Sequence, residues 1–231
     1  MSVLAPLGIL IISMLIMAFL SLTPGVFALL NHYAYGKYSR KKAEHLTFFF
    51  ILGAETTSSC LFLSVYIIVS LFISNSAHLN LITWLLIGII ISLSFISLFF
   101  YYRPGRGTRL FISRRVAKSI DQHARAIKTR SDAFTLGALS GAPELLFTLP
   151  LYIITSAEIL HMSSTRPSSV LLTILYILAP TIPLFIMRWQ FHRGRNLADI
   201  TRSRIRDKNF IRFILTLSYA LIATLIICLR T

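Results

Sequence analysis

The chain has 231 residues, of which 55% are hydrophobic and only 13% are charged, and its mean hydropathy is +0.74. This composition excludes an ordinary soluble domain and predicts an integral membrane protein in which residues 1–231 form a single membrane domain. The net charge of +15 is of the kind seen in nucleic-acid-binding proteins. Here, however, the basic residues are confined to three connections between apolar segments, so no nucleic-acid partner is predicted.

Six apolar segments follow one another along the chain, and each is long enough to cross a bilayer as an α-helix. We place them at about residues 4–30, 46–73, 81–102, 132–160, 170–191 and 209–229. The predicted fold class is therefore all-α, a polytopic membrane protein with six transmembrane helices. The first segment has no basic stretch before it, and we expect it to be a retained helix rather than a cleaved signal peptide.

Basic residues mark alternate connections between these segments. The connections at residues 31–45, 103–131 and 192–208, taken with the ends of the adjoining segments, hold 21 of the 23 lysines and arginines. Because basic loops stay on the cytoplasmic side of a membrane, these connections are predicted to be cytoplasmic and both termini to lie outside. The predicted location is the cytoplasmic, or inner, membrane.

The longest basic connection has an amphipathic pattern. Between Leu110 and Ile127, apolar residues recur at spacings near three and four, with arginines and lysines between them. This pattern predicts a helix on the inner leaflet with its cations near anionic lipid headgroups. The predicted partners are therefore the lipid bilayer, anionic headgroups at the basic face, and a small solute or ion. A homo-oligomer is left open.

Prolines interrupt the first and fourth segments. The first contains Thr23, Pro24 and Gly25, and the fourth contains Pro143 next to Glu144. If the two halves are structural repeats, three spans in each half make them inverted relative to each other across the membrane, as in many transporters. We therefore predict two inverted three-helix repeats, with the first and fourth helices broken. Ordinary kinks and helix packing remain the alternative.

Two carboxylates lie deep in predicted spans. Glu55 in the second segment and Glu144 in the fourth are each about 14–18 Å from the cytoplasmic end of their segment, at the rise of an α-helix. A charge at that depth is costly unless it is paired, hydrated or protonated. We expect both to face a central polar cavity and to bind a proton or a cation, beside the hydroxyls of Thr56 and Thr57. Small-residue packing is the alternative for the threonines.

Glycines and prolines predict close packing and kinks in the second half. Gly137 and Gly141 form a GxxxG pair that allows another helix to approach the fourth segment closely. Pro180 and Pro183 are expected to kink the fifth segment and to leave backbone carbonyls facing the cavity.

The two cysteines, Cys60 and Cys228, lie in different segments without a CxxC motif or a Cys/His cluster. They predict neither a disulfide framework nor a zinc site, and we expect both to be buried thiols without a redox role. No cofactor is predicted, and metal binding is left open. No Ser/His/Asp arrangement, HExxH or P-loop motif is present, so the chain is not predicted to be an enzyme.

The pattern resembles the LysE and CcdA/DsbD group of six-helix membrane proteins over nearly the whole chain. Residues Phe19–Gly25, with the later Leu52-Gly53, resemble the opening of LysE-type amino-acid exporters, whose first helix carries a Pro-Gly-Pro signature. Val26 replaces the second proline here. Residues Phe134–Tyr152 resemble the start of the second half in both families, and Tyr176–Pro183 resemble a later proline-containing helix of the thiol carriers. The resemblance implies the six-helix fold.

The same resemblance argues against a redox function. In the CcdA/DsbD type, a cysteine follows a proline in the first helix of each half, and the pair passes electrons across the membrane. The matching positions in this chain are Gly25 and Glu144. Because neither residue is a thiol, thiol-disulfide exchange cannot run by that route.

Three functional hypotheses follow from the sequence. The first is a secondary transporter or exporter of a small solute or ion that works by alternating access. Glu55 and Glu144 would then bind the coupling proton or cation, and the other predicted ligands are Thr23, Pro24, Gly25, Thr56, Thr57 and Pro143. The second is a non-transporting membrane scaffold or assembly partner. The third is a degenerate CcdA-like thiol electron carrier that works through Cys60, although a single thiol lacks a resolving partner.

Overall fold

The computed structural model describes residues 4–20, 40–73, 79–99, 127, 129–140, 145–162, 166–192 and 208–230. The regular structure in these residues is helical, which confirms the all-α prediction for this part of the chain. The helices are numbered here in chain order as α1 (Leu4–Leu20), α2 (Arg40–Ile73), α3 (Leu79–Phe99), α4 (Arg130–Ser140), α5 (Leu145–Met162), α6 (Arg166–Leu178), α7 (Thr181–His192) and α8 (Lys208–Arg230).

Two stretches of the described chain are long and apolar enough to cross a membrane. They are Glu44–Phe72 in α2, and Ser169–Ile186 in α6 and α7. Each of the four other predicted segments contains a shorter apolar helix of 10–17 residues, namely Ala5–Ala18, Trp84–Ile96, Phe147–Met162 and Phe213–Cys228. Length and composition therefore support membrane crossing for two stretches, and the full set of six spans remains a prediction.

The outer surface of the helices is apolar. Several large hydrophobic side chains are more than half exposed, and they include Ile67, Leu71, Trp84, Phe95, Leu171 and Phe213. By contrast, polar side chains are buried between helices, among them Ser13, Thr155 and Tyr176. Extended apolar surfaces of this kind mark contact with a membrane or with another protein, because their exposure to water is unfavourable.

Helix α5 lies in the interior of the bundle. It contacts α1, α2, α3 and α6, whereas α1 also packs against α7 and α8, and α8 packs along α3. A methyl group added at Gly8 would lie 3.3 Å from the side chain of Leu225, so the start of α1 lies beside the end of α8. Buried apolar side chains from α1, α2, α3, α5, α6 and α8 form one continuous core.

Helices α2 and α4 cross in backbone contact at two glycines. A Cβ atom at Gly53 would overlap the carbonyl oxygen of Phe134, and a Cβ atom at Gly137 would overlap the carbonyl oxygen of Phe50. Only glycine fits at both positions, because the obstacle on each side is a backbone carbonyl that cannot rotate away. The close approach predicted for Gly137 is confirmed, and its partner is Gly53; Gly141 lies outside the described residues.

This crossing is built from a repeated five-residue motif. Residues 50–54 and 134–138 both have the sequence Phe-x-Leu-Gly-Ala. Each glycine faces the phenylalanine carbonyl of the other motif, and the next nearest atoms include the backbone nitrogen of the other motif's alanine. The contact therefore has local two-fold symmetry, because each motif makes the same backbone contact with the other.

The start of α4 is fixed by a capping box. The Thr129 N–H donates to Oδ2 of Asp132 at 2.9 Å, and the Asp132 N–H donates to Oγ1 of Thr129 at 3.2 Å. These bonds satisfy backbone donors that have no partner inside the helix. The helix begins at Arg130 as a result, slightly before the predicted start at residue 132.

The fifth predicted segment, residues 170–191, consists of two helices joined by a turn rather than one continuous helix. Helix α6 ends at Leu178, helix α7 begins at Thr181, and Ala179 and Pro180 form a turn between them. Pro180 has no N–H with which to continue the helical ladder, and the Thr181 hydroxyl donates to the carbonyl of Leu178 at 2.6 Å. The kink predicted at Pro180 is confirmed in the stronger form of a break, whereas Pro183 lies inside α7.

The breaks predicted for the first and fourth segments cannot be compared in the same way. Helix α1 ends at Leu20, before Pro24. Helix α4 ends at Ser140 and helix α5 begins at Leu145, so Pro143 lies between them. The intervening residues lie outside the described chain, so the broken first and fourth helices stay predictions.

Helix α2 begins earlier than the sequence predicts. It starts at Arg40, so the last part of the predicted connection 31–45 is helical, with Lys41 and Lys42 exposed in its first turns. The prediction was wrong here because charge does not end a helix. Long basic side chains on a first turn can extend to water while the backbone remains helical.

A cluster of two arginines and two phenylalanines joins three helix ends. The Arg130 guanidinium lies 5.5 Å from the ring centroid of Phe49, and that of Arg188 lies 4.9 Å from the ring centroid of Phe48. We call these four residues the basic–aromatic cluster. It connects the start of α2, the start of α4 and the end of α7, which adjoin the three basic connections of the chain.

Candidate functional site

A cavity of about 60 Å³ opens between α1, α2, α4, α5 and the turn that joins α6 to α7. Its apolar wall includes Met17, Leu20 and Leu184. Its polar groups come from Glu55, Thr57, Ser58, Ser140, Thr148 and Tyr152. One water molecule needs roughly 10–15 Å³ of such space, so the cavity has room for a few waters or for one small ion with part of its hydration shell.

Glu55 supplies the carboxylate among the described residues that line this cavity. It lies about 16 Å along the helix axis from Glu44, where the apolar stretch of α2 begins. The Ser59 hydroxyl, one turn further on, donates to Oε1 of Glu55 at 3.3 Å. Within the described chain, no lysine or arginine forms an ion pair with Glu55. The carboxylate therefore faces hydroxyl groups and cavity space rather than a fixed cation.

The α2–α4 glycine crossing positions this part of the wall. Glu55 follows directly after the motif at residues 50–54, and Ser140 lies two residues after the motif at residues 134–138. The Ser140 hydroxyl donates to the carbonyl of Gly137 at 2.6 Å and is buried. Because the two backbones touch at the glycines, both side chains are brought to the same cavity.

Helix α5 supplies the opposite wall through one polar stripe. Thr148, Tyr152 and Thr155 follow one another at spacings of four and three, which places them on one helix face. Thr148 and Tyr152 line the cavity, and the hydroxyl groups of Tyr152 and Ser58 are hydrogen-bonded at 2.7 Å. This bond ties α5 to α2 directly beside Glu55.

Behind the cavity lies a buried hydroxyl cluster. Ser13 of α1 is hydrogen-bonded to Oγ1 of Thr155 at 2.9 Å and to the hydroxyl of Tyr176 at 3.0 Å. The ring of Phe62 contacts both Tyr152 and Tyr176, with centroid distances of 5.5 and 4.6 Å. Hydroxyl and ring contacts therefore link α1, α2, α5 and α6 across the core.

The predicted site residues divide into three groups. Glu55 and Thr57 line the cavity, as expected for ligands. Thr56 does not: its side chain is exposed, and its hydroxyl donates to the carbonyl of Leu52 on its own helix at 2.7 Å. The other five, Thr23, Pro24, Gly25, Pro143 and Glu144, lie outside the described residues, so their roles remain predictions.

Residues next to those five nevertheless reach the cavity. Leu20 is the last residue of α1 and precedes Thr23 by three positions, and Ser140 and Leu145 border residues 141–144. All three line the cavity wall. The chain therefore enters the first predicted broken region at the cavity wall, and it both enters and leaves the second one there, with Glu144 directly preceding Leu145 in the sequence.

Most of the hydroxyl groups at the site are not predicted from the sequence. They are those of Ser58, Ser140, Thr148 and Tyr152, although the spacing of the polar residues along α5 is a signal that the sequence contains. Both cysteines were expected to be buried, and this expectation is wrong: Cys60 and Cys228 are exposed and free, and neither lines the cavity. No group of three or more His, Cys, Asp or Glu that could hold a metal ion occurs within the described ranges.

Comparison of the chain with protein-family models, with curated proteins and with solved structures finds no match. The resemblance to the LysE and CcdA/DsbD group therefore stays a prediction.

Proposed function

We propose that the chain is a secondary transporter or exporter of a small solute or ion, located in the cytoplasmic membrane, which binds a proton or a cation at Glu55. The observation that carries the proposal is the position of the Glu55 carboxylate. It lies within the apolar stretch of α2, lines the cavity and has no basic partner in the described chain. Such a group requires water, a proton or a cation. Hydroxyls around Glu55 are suitable neutral ligands for a partly dehydrated cation.

The helix contacts support the proposed inverted repeat. Exchanging the two halves would exchange α1 with α4 and α5, α2 with α6 and α7, and α3 with α8. The contact between α1 and α8 then corresponds to that between α5 and α3, and the contact between α1 and α7 corresponds to that between α5 and α2. All four contacts are present. Cavities between repeats are where transporters of this architecture hold their substrates.

The helix ends support the proposed topology. The start of α1 lies beside the end of α8, as an even number of crossings requires. The basic–aromatic cluster gathers the helix ends that adjoin all three basic connections. With that end in the cytoplasm, both termini lie outside.

A thiol carrier has no support from the positions of the cysteines. Cys60 and Cys228 are both exposed, lie on different helices and are absent from the cavity wall. A scaffold without transport activity is the alternative that an experiment must separate from a transporter.

A binding screen with thermal stability as readout tests the proposal. Purified full-length protein is heated with small monovalent and divalent cations, and with amino acids and other small solutes, over a range of pH. A ligand present at about 100 times its Kd stabilises the folded state by about 2.7 kcal/mol, which is readily measured as a higher melting temperature.

Three variants make the screen specific. Glu55→Gln keeps the shape of the side chain but removes its charge and its exchangeable proton, and should abolish stabilisation by the ligand. Thr56→Val, at the adjacent exposed position, should leave it intact. We expect Glu144→Gln to behave as Glu55→Gln does. Stabilisation that survives Glu55→Gln, or a protein that no cation, solute or pH change stabilises, would favour the scaffold.

A further inference from the structure

The basic–aromatic cluster places two guanidinium groups over neighbouring aromatic rings. The rings of Phe48 and Phe49 lie edge to face, with centroids 5.9 Å apart and planes at 81°. Arg130 and Arg188 each lie over one of these rings. Because a cation is attracted to the face of an aromatic ring, each ring restricts where its guanidinium can lie.

Neither guanidinium is neutralised within the described chain. No described carboxylate forms an ion pair with Arg130 or Arg188. Arg130 is exposed and Arg188 is half-buried, while Lys41 and Lys42 stand exposed nearby on the first turns of α2. An arginine over a ring still has N–H donors at the edge of its plane, and planar donors of this kind suit the oxygens of a tetrahedral anion.

Exposed apolar side chains lie one helical turn from the cluster, toward the middle of each helix. Leu52 follows Phe48 by four residues on α2, Phe134 follows Arg130 by four on α4, and Phe185 precedes Arg188 by three on α7. All three are exposed, at 39%, 38% and 44%. A phosphate at the arginines would therefore have its attached chains lying against an apolar surface.

We propose that the basic–aromatic cluster binds the headgroup phosphate of an anionic phospholipid. Arginine edges donate paired hydrogen bonds to phosphate oxygens, and pre-positioning by the rings lowers the entropy lost on binding. Phe48 lies four residues, roughly 6 Å, inside the beginning of the apolar stretch at Glu44, which is the depth of the headgroup boundary. One bound lipid would hold together the ends of α2, α4 and α7. This inference does not depend on transport activity.

Lipid titration of the purified full-length protein tests the site. Phosphatidylglycerol and phosphatidylcholine with the same acyl chains are added in detergent, and bound lipid is counted by native mass spectrometry alongside the melting temperature. We expect phosphatidylglycerol to bind and to raise the melting temperature, and phosphatidylcholine to do neither. Inorganic phosphate at the same concentration shows whether the site prefers a lipid headgroup or a free phosphate ion. If it stabilises the protein as well as the lipid does, the site serves a soluble phosphate and the lipid proposal is overturned.

Two double variants separate a defined site from diffuse attraction between charges. Arg130→Lys with Arg188→Lys keeps both charges but loses the planar donors, and should weaken phosphatidylglycerol binding by about tenfold or more. Lys41→Gln with Lys42→Gln removes two charges at the same end, and should weaken binding by less than about threefold. Equal losses in the two variants, or unchanged binding after the arginine substitutions, would overturn the proposal. Should the double arginine variant fold poorly, Arg130→Lys alone changes only an exposed side chain and gives the same comparison.

Discussion

The single residue Tyr152 has two roles, one through its hydroxyl group and one through its ring. Its hydroxyl is bonded to Ser58 at 2.7 Å on the cavity wall, and its ring packs edge to face against Phe62 in the core. A buried polar group without its partner costs free energy, so the Ser58–Tyr152 bond stabilises the contact between α2 and α5 as well as setting the polarity of the cavity.

Tyr152→Phe should lower the free energy of unfolding by about 1 kcal/mol, because it leaves the Ser58 hydroxyl without this partner while preserving the ring. Tyr66→Phe is the matched control, since Tyr66 also packs against Phe62 but its hydroxyl forms no hydrogen bond with any described residue. Thermal unfolding in detergent gives both values. Equal melting temperatures for the two variants would contradict the role assigned to the Tyr152 hydroxyl.

Which hydroxyls reach the cavity could be predicted only in part. Glu55 was a candidate because a carboxylate in an apolar helix requires an explanation, and Thr57 was a candidate only because it is close to Glu55 in the chain. The neighbouring Thr56 has the same chemistry but faces outward, where its hydroxyl bonds to its own backbone. Any threonine in a helix can make that bond, so only packing distinguishes the two.

The exposed cysteines lead to a second prediction at this scale. Cys60→Ser combined with Cys228→Ser should leave the fold and the stabilisation by any ligand of the cavity unchanged, because neither thiol lines the cavity or pairs with the other. Circular dichroism and the ligand-dependent melting temperature measure both properties. Loss of function in a folded double variant would revive the thiol carrier.

At the scale of helices, the α2–α4 crossing determines where the site forms. Two copies of one motif place backbone against backbone, and Glu55 and Ser140 then lie together on the cavity wall. The GxxxG pattern was sufficient to predict close packing at Gly137 but not its partner. The Phe-x-Leu-Gly-Ala motif occurs twice in the sequence, but a five-residue repeat does not by itself predict that its two copies are in contact.

Gly53→Ala should destabilise the protein by about 1–3 kcal/mol, because the added methyl group pushes α2 and α4 apart. Gly88→Ala in α3 is the control: nothing lies within 4 Å of the position of its added methyl group. Alanine there should be neutral or stabilising by up to about 1 kcal/mol, since it is the better helix former. The comparison uses thermal unfolding, and a Gly53→Ala variant as stable as Gly88→Ala would show that the helices are not in backbone contact.

Pro180 marks a break within the fifth segment that segment length alone does not predict. Pro180 ends the regular ladder where the sequence predicts a kink, and it lies at the cavity. Charge is a poor guide to the beginning of α2. The helix begins at Arg40, about six residues before the predicted start at residue 46, because lysines and arginines are good helix formers.

For the whole molecule, hydropathy and charge predicted more than any motif did. The all-helical architecture, the apolar exterior and the meeting of the three basic helix ends agree with a bundle oriented by its basic connections. The arrangement of helices around α5 could not be derived from the sequence. It depends on which small and polar faces meet, and apolar helices can be packed in many arrangements.

Reporter fusions test the predicted orientation. Fusions after residues 120 and 205 should report a cytoplasmic location, and a fusion at the C-terminus should not, because 21 of the 23 basic residues adjoin alternate connections. A cytoplasmic C-terminus would refute both the topology and the inverted repeat that depends on it.

Water access to the cavity distinguishes a transporter from a scaffold, because a transporter must open its site to water and a scaffold need not. In the Cys60→Ser, Cys228→Ser background, Thr57→Cys places one thiol on the cavity wall and Thr56→Cys places one on the exposed face of the same helix. A membrane-impermeant maleimide is added to proteoliposomes from either side. Alternating access predicts that Thr57→Cys reacts from both sides and that Thr56→Cys, facing hydrocarbon where thiolates do not form, reacts from neither. A Thr57→Cys thiol that stays unreactive from both sides would contradict the account.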